Sequence, residues 1–78
     1  MSIAKIRNLS PKDRATVATA VLLEGADAAL YLEADSERGE ILAQAAEELT
    51  RLEPEIRLCL TATILRGAIA ELNNSKVN

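Results

Sequence analysis

The chain has 78 residues, no histidine, phenylalanine or tryptophan, and a single cysteine, Cys59. An intrachain disulfide is therefore excluded, and a zinc site, which draws on about four nitrogen or sulfur ligands, has almost nothing to use. The formal charge of −3 is unevenly spread: +3 over residues 1–14, −8 over residues 24–55 and +2 from residue 57 onward.

A chain of this length forms one domain and buries only about 60% of the surface its unfolded form exposes. Such domains commonly need disulfides, a metal or a second subunit. With the first two removed, self-association is the expected remedy. The lone thiol suits a reducing compartment. Lys5 and Arg7 stand near the start with no apolar run after them, so no signal peptide is read there. The longest uncharged stretch, residues 15–23, has nine residues and falls short of the ~20 of a membrane span. The expected location is the cytoplasm.

Residues 1–9 carry Ile3, Ile6 and Leu9 at every third position, which suits a short basic arm lying on the core and not a strand. Ser10-Pro11-Lys12-Asp13 is a helix start. The serine can cap, proline loses nothing at the first helical position, and Asp13 completes a capping box. A helix is expected over residues 11–34. At ~100° per residue it is apolar on two sides, one with Val17, Val21, Gly25 and Ala29, the other with Leu23 and Leu30. Only a narrow stripe with Asp13, Glu24, Asp27 and Tyr31 is polar. Such a helix should be sandwiched. Gly25 costs ~1 kcal/mol inside a helix, so close approach of another backbone is expected there, with a kink or helix end as the alternative.

Asp35 or Ser36 can cap a second helix, over residues 37–52. Ile41, Leu42, Ala45, Ala46, Leu49 and Leu52 form its inner face, and Glu40, Gln44, Glu47, Glu48 and Arg51 its outer one. Glu47 and Arg51 are an (i, i+4) pair. Pro54 breaks the chain and opens a third helix over residues 54–72, ended by Asn73-Asn74 before a frayed tail, 73–78. Here Leu58, Thr61, Ala62, Leu65, Ala68, Ile69 and Leu72 form one face, and Ile56, Leu60, Thr63, Ile64 and Gly67 a second.

The expected architecture is all-α: a three-helix hairpin-type bundle assembled as a homodimer. Leu23, Gly25, Ala29, Leu30, Leu60, Ile64 and Gly67 are the expected self-association residues, because a lone subunit would leave these second faces wet.

No residue pattern signals catalysis. With no histidine, no nucleophile has a base at recognisable spacing, and no metal or cofactor is expected. Glu24 and Asp27, one turn apart, read as a solvated stripe, and Cys59 as a small hydrophobe. Tyr31, Glu40, Glu47 and Glu48 make a candidate surface for a partner protein. Lys5, Arg7, Lys12 and Arg14 are the cations available to nucleic acid. A basic arm, a capped helix, a turn with Ser-x-Arg and a second amphipathic helix form an order that resembles ribbon-helix-helix repressors. The chain departs from that pattern in an arm without alternation, an overlong first helix and net acidity. The expected function is a non-enzymatic oligomerising module, a regulator or adaptor acting by protein–protein contact. A dimeric nucleic-acid-binding regulator is the alternative.

Overall fold

A computed structural model describes residues 4–23, 25–33 and 35–77. Every regular element among them is helical: α1 (Ala4–Arg7), α2 (Pro11–Leu23), α3 (Gly25–Leu32), α4 (Glu37–Thr50) and α5 (Pro54–Val77). The starts of α2, α4 and α5 follow local chemistry. Ser10 Oγ accepts a hydrogen bond from the Asp13 N–H at 3.3 Å, just ahead of Pro11. Ser36 is extended (φ −94, ψ 158), and its Oγ accepts from the Gly39 N–H at 2.9 Å. Pro54 is the first residue of α5. Each device removes one of the unpaired N–H groups that open a helix. The capping box at Ser10 is completed differently from expectation: the Asp13 carboxylate accepts from Arg38 on α4.

The five helices correct the three expected. Residues 11–34 do not form one helix: α2 ends at Leu23, and α3 opens on Gly25 and turns back beside it. Ala28 and Leu32 of α3 share a cleft with Ala20 and Val21 of α2. A straight 24-residue helix would be ~36 Å long and would carry its second half away from the core. Folding back buries Leu32 and half-buries Ala28 against the core. The gain from that burial outweighs continuity, and glycine opens the new helix. Glu24 and Ala34 lie outside the described residues. The arm lies on the core as expected: α1 is one short helical turn, and its Ile6 is 1% exposed. At the other end α5 runs on to Val77, past the expected stop at Asn73-Asn74. Asparagine is only a few tenths of a kcal/mol worse than average inside a helix, too little to end one.

α2 is the central element, packed against α3, α4 and α5, whereas α4 and α5 barely touch. The ion pair of Arg14 with Glu71, and the cleft shared by Val21, Arg57 and Thr61, show that α2 and α5 run in opposite directions. Asp13 with Arg38, and Ala20 with Ala46, show that α2 and α4 run in the same direction. The core is rich in alanine: Ala18, Ala20, Ala45, Ala46 and Ala68 are buried with Val21, Leu32 and Leu42. Ile6, Val17 and Leu49 are the larger apolar side chains buried almost completely. Each contributes about 1.5–3 kcal/mol.

The α3–α4 corner is the tightest point. Glu33 adopts a left-handed conformation (φ 53) after the last turn of α3. Its carbonyl accepts from the Ser36 N–H and from Ser36 Oγ, both at 2.9 Å. Gly39, buried in the first turn of α4, sits directly against this corner. A methyl on its Cα would fall inside the carbonyls of Leu32 and Glu33.

Candidate interaction surface

The residues expected to meet a second copy separate into three groups. Leu60 and Ile64 are half-buried and pack against the chain's own core. Leu23 and Leu30 face solvent, with Leu30 78% exposed and Ala29 beside it also exposed. Gly67 is exposed on α5 with open space around its Cα. Gly25 is the first residue of α3. Among the described residues α3 does not run alongside α5, and Leu30 and Leu60 line separate clefts, so they do not share a face.

The cause is the rotation of α5 about its own axis, which decides the face it turns to α2. Thr61 and Ala68 are fully buried, which centres the inner face of α5 on them. Ile64 lies on one side of that centre and is drawn partly into the core. Leu58 and Ile69 lie on the other and are left 59% and 46% exposed. Periodicity had placed both among the inner residues. Leu22 on α2, 44% exposed, lines the same cleft as Leu58, so the two helices present one continuous apolar strip. The opposite edge of α5 carries a shallower patch of Ile56, Cys59, Leu60 and Thr63.

The expected acidic face also divides. Glu40 and Glu47 are exposed on α4, and Glu47 accepts from Arg51 at 2.9 Å. Glu48 turns partly inward: its Oε2 is buried without a hydrogen-bond partner. Tyr31 lies elsewhere, in a groove with Lys12, Thr16 and Arg38. Of the four candidate nucleic-acid contacts, Lys5, Arg7 and Lys12 are exposed, and Arg14 is tied to Glu71. That pair neutralises one of the four charges a phosphate backbone would use.

No group of three or more potential metal ligands comes together among the described residues. No helix among them is long and apolar enough to cross a membrane. Comparison with known families, curated proteins and solved structures finds no match.

The total exposed area carries its own signal. The chain exposes 5432 Å². A folded monomer of 8.4 kDa is expected to expose about 4600 Å², so the excess is roughly 800 Å². Gross elongation does not account for it. The radius of gyration is 12.1 Å, close to the ~11.5 Å of a compact 78-residue domain.

Proposed function

We propose that this chain is a non-enzymatic helical module that self-associates and acts through protein–protein contact, as a small regulator or adaptor. The supporting observation is the set of large apolar side chains left in solvent: Leu22, Leu23, Leu30, Tyr31, Ile41, Ile56, Leu58 and Ile69. A core with five alanines and no buried aromatic gains less per residue than one of larger side chains, because the hydrophobic gain scales with the apolar area removed from water. Exposed apolar surface and a thin core are both remedied by one event, the arrival of a partner that covers the surface. A homodimer is the simplest assembly that does so, and protomer stability would then rise with protein concentration. The exposed acids Glu40 and Glu47 remain available to a further, basic protein.

Size-exclusion chromatography with light scattering tests the reading. A mass that approaches twice the 8.4 kDa protomer as concentration rises from micromolar to millimolar is expected. A single protomer at every concentration would refute it.

A further inference from the structure

We infer that the cleft between α2 and α5 binds a short aliphatic carboxylate, with Arg57 and Thr61 holding the head group and Val21, Leu22 and Leu58 the alkyl chain. The inference is independent of self-association and adds a ligand to the module.

The cleft has a volume of about 210 Å³ and lies where the last turn of α2 meets the first turns of α5. Val21, Leu22, Pro54 and Leu58 form apolar walls, and among the described lining residues only Arg57 and Thr61 carry polar side chains. Thr61 is 0% exposed, yet its hydroxyl has no hydrogen-bond partner among the described residues. Other helical threonines of this chain behave differently. Thr16, Thr19 and Thr63 each donate to the carbonyl four residues earlier, at 3.0, 2.8 and 2.9 Å. That local bond is the usual resort of a threonine inside a helix, and Thr61 does not make it.

A buried hydroxyl left unpaired is costly, and valine would fill the same shape without that cost. Residues that break such a rule against stability are expected where the group has a function. Arg57, one turn from Thr61 on α5, lines the same cleft. It is half-buried and donates to the Thr50 carbonyl at 3.3 Å, which orients its guanidinium. A guanidinium and a hydroxyl on one side of a helix, framed by Val and Leu, match a carboxylate that carries an alkyl chain. Water fits the walls less well, since a buried water needs two to four polar partners. The volume is about that of seven waters and lies below the 300–1,000 Å³ of drug-sized sites, so the ligand is short. Leu22 and Leu58, 44% and 59% exposed, stand at the cleft, and they part to admit the head group to Thr61.

The test is titration with hexanoate, and with hexanol as its neutral counterpart, followed by calorimetry and by the amide shifts of residues 57–61. Hexanoate should saturate at millimolar concentration, and hexanol should bind about tenfold more weakly or less. Thr61→Val should weaken hexanoate about tenfold while raising the melting temperature of the free chain, a split that a merely structural threonine would not give. Thr61→Ser keeps the hydroxyl and should stay within about threefold of wild type. Arg57→Gln should also weaken binding about tenfold. If that variant loses its helical signal in circular dichroism, the ratio of hexanoate to hexanol in the wild-type chain decides the head-group assignment. No saturable hexanoate binding up to about 10 mM, equal binding of hexanol, or undiminished binding to Thr61→Val would each overturn the inference.

Discussion

Gly39→Ala is the substitution whose outcome follows most directly from the packing. The added methyl would overlap the backbone carbonyls of Leu32 and Glu33. Those carbonyls cannot swing aside freely. That of Glu33 holds two 2.9 Å hydrogen bonds from Ser36, and Glu33 itself is in the left-handed region at φ 53. Overpacking costs about 1–3 kcal/mol and occasionally more, and an obstacle made of backbone belongs at or beyond the upper end. Alanine recovers up to ~1 kcal/mol of helix propensity, so the net loss should be about 2–3 kcal/mol. A domain of this length has only about 4–12 kcal/mol in total. The melting temperature should fall by about 10–20 °C at fixed protein concentration, measured by circular dichroism at 222 nm. A variant that melts with or above wild type would show that the α3–α4 corner is not packed as described.

Three further substitutions probe the same framework. Gly67→Ala meets nothing within van der Waals reach. It should stabilise by up to ~1 kcal/mol and raise the melting temperature by about 4–8 °C, and any weakening of self-association would place Gly67 in an interface instead. Thr61 is fully buried and its hydroxyl has no hydrogen-bond partner. Thr61→Val keeps the shape, removes the stranded group and should gain about 1 kcal/mol in urea unfolding; a loss of that size would reveal a partner for the hydroxyl. Ser36→Ala removes the cap of α4 and the bond to the Glu33 carbonyl. It should cost about 1–2 kcal/mol in the same assay, and a neutral result would mean that solvent satisfies both groups equally well.

What was legible in the sequence was what depends on neighbours in the chain. Ser10 with Pro11, Ser36 and Pro54 mark the starts of their helices, because capping and the absence of a proline N–H act within one turn. The inner face of α4 was legible in its centre, with Leu42, Ala45, Ala46 and Leu49 all buried, but Ile41, expected on the same face, is 55% exposed. The turn between α2 and α3 was legible only as the alternative reading of Gly25, a kink or helix end. Residues 11–34 are mostly sound helix formers, and only the burial of Leu32 against other helices makes the folded-back form preferable. Gly39 gave no sign of its role, since a close approach to Leu32 and Glu33 leaves no periodic trace. The interaction surface was legible in quantity but not in place. Surplus apolar area shows in the composition. Leu58, Leu60, Ile64 and Ile69 share one apolar helix, and which of them stay in water depends on the face that α5 turns to α2.

Sedimentation equilibrium of the wild-type chain from micromolar to millimolar concentration is the most direct test of the proposed self-association. A reversible two-species fit approaching twice the 8.4 kDa mass at the upper end is the expected result. A helical, cooperatively melting protomer of 8.4 kDa throughout would mean that Leu22, Leu58 and Ile69 rest stably in water, and the proposed second copy would have no role.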